Sequence, residues 1–262
     1  MKRVVLLILA LTVAAQADWS HKLTTDLTGS QVKMKDWSRG GEDSFSWEFD
    51  ITGISIEKTP GHTWTWRYGL DYGQTQQGSR DPRKTDDLFK VATTYLINTD
   101  SWVKPYVSAG LRTQLTAGHR YAPQRRISDL WDPAYLNEAA GVGKGLTFGI
   151  AEVETRAGAS FRHVLTRDFN NYSGGSSMST DFGFESVTEL DYKISDTAQM
   201  ASKVKFFKTS GRTWVIRTDT ALRFQLTKLI VLRAELAAFR DERSSDDWQL
   251  KQSTEIGIGW KL

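Results

Sequence analysis

The feature that most constrains this chain is a strict period-two alternation of large apolar with small or polar residues. Near the C-terminus Trp248, Leu250, Ile256, Ile258, Trp260 and Leu262 share one face with Gln252 and Thr254. Gln249, Lys251, Ser253, Glu255, Gly257, Gly259 and Lys261 share the other. Trp64, Trp66, Tyr68, Leu70 and Tyr72 alternate in the same way with Thr65, Arg67, Gly69, Asp71 and Gly73, and Trp214, Ile216, Leu222, Phe224 and Leu226 with Arg217, Asp219 and Arg223. A helix spreads such residues around its circumference, whereas a strand puts i, i+2 and i+4 on one side. The pattern predicts twelve strands, at about 19–33, 43–58, 63–75, 86–98, 103–117, 134–147, 150–164, 180–193, 198–208, 213–226, 229–240 and 248–262.

The connections alternate in length. Those at Thr59-Pro60-Gly61, Asn98 to Trp102, Thr147 to Gly149, Ile194 to Thr197 and Thr227-Lys228 are short. Met34 to Glu42, Gln76 to Thr85, Gly118 to Pro133, Leu165 to Ser179 and Asp241 to Asp247 are longer, with Thr209 to Arg212 the exception. Pro60, Pro82, Pro105, Pro123 and Pro133 all fall in connections or at strand starts, where a missing ladder donor does no harm. Trp64, Trp102, Phe148 and Trp260 flank the short turns; Tyr72, Trp214 and Trp248 flank the long loops. Short turns at one end, long loops at the other and aromatics at both levels predict a transmembrane antiparallel up-and-down β-barrel of about twelve strands, both termini at the short-turn end.

Composition fits this reading. Mean hydropathy is −0.43 and 25% of residues are charged, which is how a membrane barrel looks when only alternate residues touch lipid. A soluble secreted β-barrel that binds a ligand, with its apolar faces inward, accounts for the alternation equally. It accounts less well for the glycine-rich polar faces, the two aromatic levels and the last strand.

The N-terminus bears on location. Lys2 and Arg3 precede an apolar run from Val4 to Val13, and Ala15-Gln16-Ala17 supplies a small-x-small cleavage pattern. The run is about half the roughly 20 residues of a spanning helix. It predicts a signal peptide at 1–17, cleaved before Asp18, with 18–262 as the barrel in the cell outer membrane. Without Lys2 and Arg3, the 34 basic residues become 32 against 31 acidic. So small a balance gives no case for nucleic acid. The absence of cysteine excludes disulfides and thiolate metal sites.

Asp36-Trp37-Ser38-Arg39-Gly40-Gly41-Glu42-Asp43-Ser44 resembles the Asn-Trp-x-x-Gly-Gly-Glu-Asn-Ser motif of a bacterial family, domain of unknown function 3078. Lys84-Thr85-Asp86-Asp87, Arg112-Thr113-Gln114-Leu115-Thr116-Ala117-Gly118 and Ile127-Ser128-Asp129-Leu130-Trp131-Asp132-Pro133-Ala134-Tyr135-Leu136 are similar to its later segments. The resemblance runs roughly from Trp19 to His163. Asp36, Asp43 and Leu130 depart from it, standing where the family has Asn, Asn and Phe. It implies an outer-membrane barrel with no agreed activity. Ile258, Trp260 and Leu262 resemble the terminal signal read by the barrel-assembly machinery, which usually ends in Phe.

Lumen-facing candidates follow from the alternation: Arg67, Asp71, Lys90, Arg112, Glu152, Glu154, Arg156, Arg162, Glu185, Glu189, Asp191, Lys203, Lys205, Arg217, Asp219, Arg223, Arg233, Glu235, Lys251 and Glu255. Two readings stand: a narrow water-filled pore of mixed selectivity, or ion pairs that fill the interior. Twelve strands lie between filled eight-stranded and open sixteen-stranded barrels, so size permits both. For catalysis, His119 with Ser128 and Asp129 is the best available set, in a loop where a lipid-modifying enzyme would reach the outer leaflet. Ordinary solvated loop residues explain it better. Asp241, Glu242, Asp246 and Asp247 read as a solvated acidic tip before a cation site. Arg39-Gly40-Gly41 reads as turn chemistry before a phosphate nest. Arg80, Arg83, Arg120, Arg125 and Arg126 are candidates for lipopolysaccharide phosphates, with Asp81, Asp86, Asp129 and Asp132 balancing them. No cofactor motif is present, and the expected role is a non-enzymatic passive pore or structural membrane component.

Overall fold

The computed structural model describes residues 19–34, 42–121, 124–167, 178–211, 213–242 and 245–261. Its strands, in chain order, are β1 (Trp19–Val32), β2 (Ser44–Lys58), β3 (His62–Gln77), β4 (Arg83–Ile97), β5 (Lys104–Thr113), β6 (Gly118–Tyr121), β7 (Gln124–Ser128), β8 (Ala134–Phe148), β9 (Ala151–Leu165), β10 (Met178–Lys193), β11 (Ala198–Thr209), β12 (Trp214–Gln225), β13 (Ile230–Asp241) and β14 (Ser245–Lys261). All but β6 and β7 form one closed antiparallel barrel of twelve strands, ordered around the wall as along the chain. Closure gives every wall strand a partner on both sides, over part of its length at the β1–β14 seam, and pairing without water is the condition for crossing a bilayer.

Polarity is inverted relative to a soluble protein. The large apolar residues of β14 face outward and stand bare, with Leu250 71% exposed and Ile256, Ile258 and Trp260 about half exposed. Asp26, Asp50, Glu185 and Glu189 are buried instead. Lipid is the solvent that makes this arrangement favourable, and the chain is a transmembrane barrel. Spanning needs about 9–11 residues per strand. β2, with 15 residues, and β10, with 16, therefore project beyond the apolar layer. At the short-turn end Trp64 packs on Trp19, with ring centres 5.5 Å apart, and donates its indole N–H to Thr93 at 2.7 Å. At the other end Trp47 packs on Tyr72 and Phe206 on Trp214.

Turn chemistry sets the register. Thr59 and His62 exchange hydrogen bonds around Pro60-Gly61, Thr59 N–H donating to the His62 carbonyl at 2.9 Å. The turn from β8 to β9 has only Gly149 and Ile150 between paired Phe148 and Ala151, and Gly149 takes φ +58°. The closing seam is short: β1 meets β14 over Thr24–Thr28 and Gly257–Lys261, whereas β1 meets β2 along its whole length. Across the seam, a Cβ on Gly257 would lie 2.2 Å from the Leu27 carbonyl oxygen.

Three expectations are corrected. The fifth strand ends at Thr113, not at residue 117, because the chain leaves the wall at Gln114. The expected loop from Gly118 to Pro133 contains the β6–β7 hairpin, a two-stranded sheet of its own. The expected loop from Gln76 to Thr85 shrinks to residues 78–82, since β3 and β4 pair as far as Thr75 with Arg83 past an irregularity at Gly73 and Gln74.

Candidate functional site: the charged barrel interior

Alternation turns one residue in two of each wall strand inward, so each charged group's height is fixed by register. Around Glu189 on β10 three cations converge: Lys203 from β11 at 2.6 Å, Arg67 from β3 at 2.9 Å and Arg156 from β9 at 3.5 Å. Glu189 retains 8% side-chain exposure. Glu154 joins the cluster, 3.1 Å from Arg156 and 3.7 Å from Arg67. Close by, Lys205 lies 2.6 Å from Glu185, which also accepts from the Ser160 hydroxyl at 3.3 Å. Phe207, Val187 and Tyr106 are buried on the same inward face and fill space between the charges.

A second group lies toward β1. Asp26, Asp50 and Asp71 stand opposite one another in register on β1, β2 and β3. Each carboxylate faces its own cation: Arg223 at 3.0 Å, Arg233 at 3.0 Å and Lys90 at 3.6 Å. Arg233 also meets Glu235, Arg217 meets Asp219 at 2.7 Å, and Glu255 accepts from Thr28 at 2.8 Å. Lys251 reaches Asp86. Many of these pairs bridge strands that are not neighbours: β3 with β10, β9 with β13, β12 with β1, β13 with β2 and β14 with β4. Desolvation offsets much of the attraction in buried pairs, so their main effect is to fix geometry; removing one partner is what costs heavily.

The sequence-derived residues thus separate. Arg67, Glu154, Arg156, Glu185, Glu189, Lys203 and Lys205 come together in one cluster, with Arg217 and Asp219 beside it, opposite Lys205 and Lys203 in register; Asp71, Lys90, Arg223, Arg233, Glu235, Lys251 and Glu255 lie in or beside the other. Arg112 shares the inward face with Lys90 and Tyr135, and Glu152 with Asp191, but neither takes part in the pairs described. Sequence reasoning missed Asp26, Glu48, Asp50, Asp86 and Tyr106. Glu48 and Asp50 do alternate with Trp47, Phe49 and Ile51, but β2 also puts Ile54 inward beside Arg67, which blurs the pattern.

The other candidates are dispersed. The Ser128 hydroxyl is buried and donates to Gln114, while the Asp129 carboxylate pairs with Arg126; His119 is exposed, opposite Arg126. Asp241 is not part of a solvated tip: it is fully buried and faces Arg162 at 3.4 Å, because β13 carries it inward. Glu242 accepts from the Trp214 N–H at 3.0 Å. Among the described residues no group of three or more His, Asp or Glu is placed to hold a metal ion. Arg80 pairs with Glu42. Arg39-Gly40-Gly41, the leader at 1–17 and the side chains of Arg120, Arg125 and Asp246 lie outside the described residues.

Comparison with known proteins covers both halves of the chain. Residues 30–119 match the family described as "Protein of unknown function (DUF3078)", and residues 147–260 match "Protein of unknown function, DUF481". The first match stops short of the Ile127–Leu136 run. No curated protein matches the chain. Among solved structures it is similar to an outer membrane channel from Pseudomonas putida F1, at 10% identity over 95% of this chain and 96% of that one, TM-score 0.43. It is also similar to the NanC porin, at 11% identity over 91% and 100%, TM-score 0.43. A third is the translocator domain of the autotransporter NalP from Neisseria meningitidis, at 12% over 100% and 95%, TM-score 0.37. The chain is a closed twelve-stranded antiparallel β-barrel in which residues 30–119 match DUF3078 and residues 147–260 match DUF481, two families described as being of unknown function.

Proposed function

We propose that this protein is a non-enzymatic, structural outer-membrane barrel whose interior is latched shut by ion pairs, in preference to a standing open pore. The observation that carries the reading is Arg67 reaching Glu189 at 2.9 Å from the far side of the wall, with Lys203 and Arg156 closing on the same carboxylate. A solute moving along the axis has to part these charges and pass buried Phe207, Val187 and Tyr106. Lys90 and Asp219 keep nearly half of their side-chain surface exposed, so water enters part of the interior without crossing it. Export and removal of residues 1–17, assembly by the barrel-assembly machinery and contact with lipopolysaccharide belong to the same proposal.

Planar-bilayer recording of the refolded chain tests it. The expectation is a tight seal without discrete steps. Regular single-channel steps from the unmodified protein overturn the latch and restore the pore.

A further inference from the structure

Beyond the interior, we infer that Gln114–Thr116 and Ile127–Pro133, the stretches that flank the β6–β7 hairpin, form a membrane-interface anchor that lays Ile127, Leu130 and Trp131 against the lipid leaflet on the loop side. Lys90 and Arg112 point inward, so Asp87, Phe89 and Thr113 lie on the outer face of β4 and β5. The stretches cover all three. Asp87 accepts the backbone N–H groups of Leu115 and Thr116 at 2.7 and 2.8 Å, and the Thr113 hydroxyl donates to the Pro133 carbonyl at 3.2 Å. The Trp131 ring meets Phe89 edge-on, with centres 6.2 Å apart, and the Trp131 backbone N–H donates to the Gln114 carbonyl at 3.2 Å. Both flanking stretches thus lie against the outside wall.

Height and polarity both fit lipid. Phe89 pairs with Leu70, and two residues along each strand Asp87 pairs with Tyr72, whose ring packs on Trp47 in the girdle at the loop end. Ile127, Leu130 and Trp131 keep 43%, 45% and 45% exposure, and Trp131 joins the apolar outer surface of the barrel through Phe89. Amphipathic aromatics settle at headgroup depth. Trp131 is held at φ +59°, a left-handed conformation that residues with side chains seldom adopt. Backbone groups of the turn are met by protein: Asp129 and Asp132 exchange two backbone hydrogen bonds, and the Leu130 carbonyl accepts from Arg167 at 2.8 Å. This satisfaction is what a segment needs where water is scarce.

The inference rests on the transmembrane reading and not on whether the lumen conducts. The chain has no cysteine, so single labels are clean. The full chain carrying Leu130→Cys or Ile127→Cys, labelled with an environment-sensitive fluorophore, is refolded into phosphatidylcholine vesicles with brominated acyl chains. Val107→Cys on the outer wall is the reference. The expected result is a blue-shifted emission at both lip sites, loss of intensity in brominated vesicles and shielding from iodide. Iodide quenching at both lip sites without bromine quenching, while Val107→Cys responds to bromine, overturns the anchor. If Val107→Cys also ignores bromine, the membrane reading itself fails.

Discussion

Arg67 on β3 and Glu189 on β10 stand 2.9 Å apart although the shorter way around the wall between them takes five strand-to-strand steps. Only a pair reaching through the interior makes such a contact, which ties opposite sides of the barrel together. Glu189→Ala leaves Arg67, Arg156 and Lys203 facing one another without their shared anion. The expected loss is about 3–5 kcal/mol, as for a broken buried ion pair. Denaturant unfolding in detergent micelles measures it, and bilayer recording of the same variant should show current where the parent shows none. A variant that is both as stable and as tight as the parent refutes the latch.

The Asp87 carboxylate holds the start of the outer lip. It takes two backbone N–H groups, the Thr116 hydroxyl at 2.6 Å and the Lys84 ammonium at 2.8 Å. Asp87→Ala leaves the Leu115 and Thr116 amides unsatisfied, at about 1–3 kcal/mol each where they stay buried. The expected outcome is a new cleavage site near 114–117 in limited proteolysis of reconstituted vesicles, with the wall strands intact.

At the seam, Gly257→Val introduces a Cβ where the Leu27 carbonyl oxygen allows none. Because β1 and β14 share so few residue pairs, the strain falls on the barrel's weakest joint. The folded band that such barrels retain on unheated detergent gels should convert to the unfolded position at lower temperature than for the parent. Valine at Gly145, where a Cβ meets nothing within 4 Å, serves as the control.

Asp43, in the connection after β1, is tied by the Lys33 ammonium and by the Met34 N–H at 2.8 Å, and these hold its carboxyl below the usual carboxylate range. A depressed folded value means that the tie contributes fully above the unfolded pKa of about 3.9 and is lost as pH falls through the lower folded one. The Met34 amide resonance in micelles should stay fixed between about pH 5 and 8 and shift only below about pH 4. A midpoint above that range contradicts the contact.

Legibility differed sharply between wall and interior. Trp248, Leu250, Ile256 and Ile258 announced β14 because lipid demands apolar residues at every second position. That same rule names the inward face of Arg67 and Glu189 but not their meeting. Which charges share a height depends on strand stagger, which alternation does not encode, and 122 positions of sequence separate the two. The β6–β7 hairpin escaped for another reason. Its strands, of four and five residues, are too short for a period to show.

Each wall strand bonds to the wall strands before and after it in the chain, and among the described strand pairings only β1–β14 joins distant segments. The sheet is therefore able to grow one hairpin at a time, with every addition closing a short loop and a single long one left for last. Until that final step, the free edges of β1 and β14 are unsatisfied donors and acceptors facing hydrocarbon. Leaving those edges in hydrocarbon is costly, so the last pairing, β1 with β14, is the step that relieves the ribbon of them.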